Sequence, residues 1–180
     1  MESPAESSIM MKKNSLSAAK KVAFCGLLAA LAIVLTIFEN MLPEIPLLPP
    51  GCRLGLSNIV TMFCAGTVGL PAALCIALLK SGFVFLTRGV TAGLMSLSGG
   101  LFSTLIMWLC LKYGRFGMIG VGICGALAHN VAQLLMAVWI TSPAVFSYTP
   151  ILILFSIPAG AVTGTVLRFA LPALNRIARQ

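Results

Sequence analysis

Residues 71–87 read PAALCIALLKSGFVFLT, and residues 116–140 read FGMIGVGICGALAHNVAQLLMAVWI. Each stretch matches the length of a transmembrane helix, which needs about 17–25 predominantly apolar residues. Yet Lys80 sits near the middle of the first, and His129, Asn130 and Gln133 interrupt the second. A charge at the bilayer centre costs about 2.5–3.5 kcal/mol on insertion scales, so it is turned toward a protein interior or a watery cavity. The two stretches together predict a membrane bundle built around a polar site.

Composition agrees with that reading. Of 180 residues, 59% are hydrophobic and 9% charged, against about 25% charged in a soluble domain. Although the net charge is +8, the basic residues flank apolar spans rather than forming one stripe, so nucleic acid is not an expected partner. Glycine, proline and charge divide the chain into six spans, at about residues 22–38, 54–70, 71–87, 91–111, 116–140 and 146–171. Pro158 is expected to tilt or kink the last of them. The predicted fold is an all-α integral membrane protein with six transmembrane helices in one bundle. Residues 1–19 form a disordered cytoplasmic tail, 20–171 the membrane domain and 172–180 a C-terminal cytoplasmic tail. Lys20 and Lys21 before an apolar run resemble the start of a signal peptide, but no small-residue cleavage pattern follows. The first span is therefore expected to stay uncleaved. Lys12, Lys13, Lys20, Lys21, Lys112, Arg115, Arg168, Arg176 and Arg179 fall on one side of such a bundle, and Arg53 and Arg88 on the other. By the positive-inside rule both termini are cytoplasmic.

Helical spacing collects the polar residues onto faces. Ala73, Ala77, Lys80, Val84 and Thr87 share one side of the third span, and Gly122, Ala126, His129 and Gln133 one side of the fifth. Small residues let a neighbouring helix approach where the polar groups lie. For Lys80 the alternative is a side chain that snorkels to the headgroups, which its central position disfavours. For His129, Asn130 and Gln133 two roles stay open, substrate binding or hydrogen bonding to neighbouring helices. Ser57, Asn58 and Thr61 on the second span, with Ser96, Gly100 and Ser103 on the fourth, could line the same space. Arg88 reads as an interfacial anchor or a rim ligand. Residues 39–53 contain Pro43, Pro46, Pro49 and Pro50 among apolar side chains, which suits either a plug folded over the bundle or a loop resting in the lipid interface. That loop ends with Arg53 at the outer mouth. Ala19, Ala23, Gly26 and Ala30 form a small-residue stripe on the first span, and Gly160 and Gly164 a second pair on the sixth; both are signals of helix contact.

Other chemistries find little purchase. Cys25, Cys52, Cys64, Cys75, Cys110 and Cys124 show no C-x-x-C spacing, and packed structural thiols are the default reading, with an iron-sulfur site shared between spans, for instance at Cys25 and Cys110, as the alternative. No catalytic residue, metal site or cofactor is expected. Without a Walker-type loop or a dinucleotide fingerprint, any nucleotide-driven energy source must lie in another chain.

Phe38-Glu39-Asn40-Met41-Leu42-Pro43, the run from Pro50 to Asn58, Ser96-Leu97-Ser98-Gly99-Gly100 and Ala128-His129-Asn130-Val131-Ala132-Gln133 together resemble the bacterial Gx transporter family, also named heptaprenyl diphosphate synthase component I. The likeness covers residues 20–171. That family is in turn similar to the S components of energy-coupling factor (ECF) transporters, six-helix membrane proteins that bind substrate. The resemblance implies that Ala19, Ala23, Gly26 and Ala30 dock a coupling subunit and that residues 39–53 gate a substrate site in a bacterial cell membrane.

The synthase name meets a chemical objection. Enzymes that elongate prenyl chains hold magnesium and diphosphate with aspartate-rich motifs, as hard oxygen ligands must, and this chain has no aspartate. The expected function is therefore the specificity subunit of a small-solute importer, working with a membrane coupling subunit and ATPases. Lys80, His129, Asn130 and Gln133 form the expected centre of the site, with Arg53, Arg88, Asn58 and Glu39 at its rim. The surplus of cations over Glu39 leans toward an anionic or phosphate-bearing substrate. The alternatives are a non-catalytic accessory subunit of a prenyl diphosphate or quinone pathway, or of a flavin- or quinone-linked membrane redox system.

Overall fold

The computed structural model describes residues 18–41, 55–114 and 116–179, with side chains as far as residue 172. Six α-helices account for nearly all of it: α1 Ala18–Met41, α2 Asn58–Thr67, α3 Leu70–Arg88, α4 Val90–Tyr113, α5 Met118–Ile140 and α6 Thr149–Arg179. A short 3-10 turn, Pro143–Tyr148, leads into the last helix. No strand occurs among the described residues. The helices carry apolar residues on nearly all sides, as expected where lipid replaces water outside and protein fills the inside. Leu86, Trp139 and Phe169 are each about four-fifths exposed on the outer surface. Five of the helices are long and apolar enough to cross a membrane, and the chain is a multi-pass membrane protein.

The exception is α2. Its 10 residues span about 15 Å at 1.5 Å per residue, roughly half a hydrocarbon core of about 30 Å. The sequence predicts a full span over residues 54–70, but the chain turns at Gly55, Leu56 and Ser57 before the helix begins. Such an irregular entry is tolerated at membrane depth only inside protein. Asn58, Val60, Thr61, Met62, Phe63, Cys64, Ala65 and Gly66 are all buried, and α2 packs against every other helix.

Helices α3 to α6 follow one another as an antiparallel series, in which α3 with α4, α4 with α5 and α5 with α6 make the broadest contacts, while α1 lies against α3 and α2. A single residue, Gly89 with φ 86°, reverses the chain between α3 and α4. At the α5–α6 crossing a Cβ on Gly122, Gly160 or Gly164 would strike the facing backbone. The second small-residue pair thus serves a contact within the chain. The sixth helix continues through Pro158 and Pro172 to Arg179, so the backbone past residue 171, expected as a tail, is helical. Pro158 leaves one carbonyl without its usual helical donor, yet the helix is not interrupted there.

Packing divides the bundle along its axis. A large apolar core joins Phe24, Leu28, Met62, Phe63, Ile76, Met107, Met118 and Leu167, drawn from all six helices and including the first half of α1 and the last part of α6. The helix directions place both described chain ends at this sealed end. A smaller cluster of Met95, Leu134, Ala137 and Leu152 holds α4, α5 and α6 together at the other end. Between that cluster, the end of α1 and the start of α2 lies the polar interior.

Candidate functional site

The last turns of α1 bring Thr36, Glu39 and Asn40 onto one face, since residues three and four apart are neighbours on a helix. Thr36 satisfies itself by donating to the Ala32 carbonyl at 2.8 Å. Glu39 is 4% exposed, and its carboxylate accepts the Gly55 N–H at 2.5 Å. Gly55 has φ 78° and lies so close to Asn58 that a Cβ would collide with the amide. Only glycine suits that bend, and the bend delivers Ser57 and Asn58 to the interior.

Opposite them, Lys80 on α3 is 3% exposed. Its ammonium donates to Ser57 Oγ at 2.9 Å and, at a longer 3.4 Å, to Asn58 Oδ1. Snorkelling is thereby replaced by internal hydrogen bonds to two neutral oxygens. Gly100 on α4 faces the amine, where a Cβ would come within 3.8 Å of Nζ. Further along α3, half-buried Arg88 donates to Asn40 Oδ1 at 3.4 Å.

From α5 come His129 and Gln133, one turn apart and each 2% exposed. Both press on Gly99: a Cβ there would fall within 3 Å of the imidazole and of Gln133 Cγ. A glycine on α4 is therefore what admits these side chains. His129 Nδ1 lies beside Gly99, and Gln133 Oε1 has no donor among the described residues. Buried polar atoms are rarely left so, because each costs about 1–3 kcal/mol.

These groups surround one cavity, with about 360 Å³ of empty space counting its open mouth. Its described lining is Thr36, Glu39, Asn40, Gly55, Ser57, Lys80, Val84, Arg88, Ala92, Ser96, His129 and Gln133. Five residues expected at the site, Lys80, His129, Gln133, Glu39 and Arg88, therefore meet. Asn58 stands behind Lys80 as its second acceptor. Asn130 turns to the other side of α5 and donates to Ser156 Oγ on α6 at 2.8 Å, a hydrogen bond between helices. Arg53 lies outside the described residues, as does most of the loop over residues 39–53.

Thr36 and Asn40 are lining residues that the sequence reading passed over. Their spacing with Glu39 on an otherwise apolar helix was the available signal. The proposed cysteine grouping is redrawn: Cys25 neighbours Cys64 and Cys75, and Cys110 neighbours Cys124, so Cys25 and Cys110 belong to different groups. No cluster of three or more metal-ligating side chains occurs among the described residues. Ala19, Ala23, Gly26 and Ala30 are all exposed on the outside of α1, and a Cβ on Gly26 would meet nothing.

Fold and cavity together define a membrane bundle with an internal polar site. Residues 28–170 match the family described as heptaprenyl diphosphate synthase component I, and the chain belongs to that family. A solved structure of the S component of a bacterial ECF transporter is similar, with a TM-score of 0.69 at 20% identity over 91% of this chain and 100% of that one. At that identity the likeness concerns the fold. A search of curated proteins returned no match.

Proposed function

We propose that this chain is the substrate-binding subunit of an ECF-type importer, which sets specificity while a separate membrane coupling subunit and ATPases supply the energy. The observation that carries this reading is the convergence of Lys80, His129 and Gln133, all buried, on one cavity inside an apolar bundle. Their placement costs folding energy that a purely structural bundle has no reason to spend. The likeness to an S component supports the same reading through the fold. The exposed small-residue stripe of α1 is the surface we assign to the coupling subunit, because it admits a close helix approach and no helix among the described residues covers it. The cavity end faces outward and both termini face the cytoplasm, in keeping with the distribution of Lys and Arg.

Purification of the tagged chain from its native membranes in mild detergent, followed by mass spectrometry of what accompanies it, tests the proposal. A membrane subunit with ATPases in stoichiometric amount is the expected result; their absence sinks it. The family description favours a second reading, a membrane accessory of a separate prenyl diphosphate synthase. That reading predicts a soluble synthase in the same experiment instead. Without aspartate this chain is not itself a catalyst of the magnesium-diphosphate kind.

A further inference from the structure

Away from the cavity, the last turn of α4 holds a cation on aromatic rings at the sealed end of the bundle. Residues four apart share a helix face, and Lys112 lies over Trp108, with its ammonium 4.6 Å from the centroid of that ring. The same ammonium is 4.9 Å from the ring of Tyr113. Both distances are inside the reach of about 6 Å over which an aromatic face attracts a cation. The two rings meet edge to face, their centroids 6.4 Å apart and their planes at 89°. Trp108 in turn packs against the large apolar core, which fixes the corner that the rings form.

The direction of the lysine matters as much as its charge. Side chains on a helix lean toward its N-terminus, and for α4 that end lies across the bundle. Lys112 leans back over a ring carried four residues earlier, about 6 Å along the helix at 1.5 Å per residue, instead of stretching away into water. It is nonetheless exposed, as is Tyr113. An exposed ammonium drawn back along a membrane-spanning helix meets lipid headgroups before it meets bulk water. Among the described residues Glu39 is the sole acidic side chain, and it lines the cavity at the opposite end. The aromatic faces attract the cation through their quadrupoles and leave its net charge whole.

We propose that this corner of α4 is a docking site for the phosphate headgroup of an anionic phospholipid. The Lys112 ammonium donates to a phosphodiester oxygen, and the rings of Trp108 and Tyr113 hold the ammonium at headgroup depth, the level that such amphipathic rings favour. A zwitterionic lipid brings its own cation to its phosphate and gains less from the lysine. A soluble phosphate would have to leave water to reach the same place. The site is independent of the cavity and of the transport reading.

Tryptophan fluorescence tests it. The chain has one other tryptophan, Trp139, which is 80% exposed near the far end of α5, so Trp139→Phe leaves Trp108 as the reporter at little cost. That chain is placed in vesicles of phosphatidylglycerol and phosphatidylcholine in equal amounts, with brominated acyl chains on one lipid or on the other. Surface charge is then the same in both samples, and quenching of Trp108 reports which lipid sits beside it. Phosphatidylglycerol is expected to be favoured about fivefold, the order expected of one basic group near an anionic surface. Lys112→Gln should bring the ratio close to one, and Lys112→Arg should keep it. A Trp108→Phe chain, in which Trp139 reports alone, should show no preference. Equal quenching of Trp108 by the two lipids overturns the assignment, as does a preference that survives Lys112→Gln or is matched at Trp139. A preference that vanishes when glycerol phosphate is added to the buffer would assign the site to a soluble anion and overturn the lipid. The ratio in the chain that keeps Lys112 is decisive by itself, so a variant that fails to fold does not protect the proposal.

Discussion

The end of the bundle around Phe63 and the end around Lys80 are built from the same helices, yet they solve opposite problems. At the first, aromatic, Leu and Met side chains fill the space, with Phe24 and Phe63 edge to face at 6.2 Å between ring centroids. At the second, small residues on α4 leave room, and polar side chains from α1, α3 and α5 occupy part of it. A residue's effect should therefore depend on the end it belongs to. Substitutions in the sealed end should act on stability, and substitutions around the cavity on occupancy.

The strongest way to break that contrast is Phe63→Ala, expected to destabilise the bundle by about 3–5 kcal/mol, as truncation of a buried aromatic does. Unfolding in detergent measures it, and a loss under about 1 kcal/mol would mean that the sealed end is not the structural core. Glu39→Gln comes next. It replaces the charged acceptor of the Gly55 N–H by a neutral one, for a cost of about 1 kcal/mol, and should loosen the entry to α2 in hydrogen exchange more than it affects α6. Asn130→Leu sharpens the division of labour within α5: loss of the bond to Ser156 should cost about 0.6 kcal/mol, typical of interhelical hydrogen bonds in membranes, while ligand affinity stays unchanged. Smallest on the isolated chain is Gly26→Leu, expected within about 0.5 kcal/mol because the added side chain enters open space. The same variant should fail to retain the coupling subunit on purification; full retention would remove α1's stripe as a docking surface.

Much of this was legible in the sequence because the bilayer makes polarity expensive. A lysine flanked by Ile76, Ala77 and Val84, or a histidine and a glutamine in a run of Ala, Leu and Val, has few places to go. Helical spacing then put Lys80, His129 and Gln133 on inward faces. Asn130 defeated the same reasoning, since adjacent residues on a helix point about 100° apart and composition does not tell which neighbour lies on each side. The half-length α2 was missed for a related reason: residues 54–70 are apolar enough to span, and it is the bend at Gly55 and the pull of Glu39 on its N–H that stop the helix short. Thr36 and Asn40 lay hidden because hydropathy averages over a window in which a few polar side chains barely register. Gly99 and Gly100 were visible as small residues, but their use as sockets for His129, Gln133 and Lys80 needed coordinates.

Because α2 rises from the sealed end and stops beneath the cavity, its length acts as a gauge of chamber depth. One added turn, about 5.4 Å, would push the Gly55–Ser57 floor into the space now left between Lys80 and Gln133; one turn fewer would deepen the chamber by the same step. Related chains could therefore be matched to larger or smaller cargo by insertions at a single helix start, with the outer wall of the bundle left untouched.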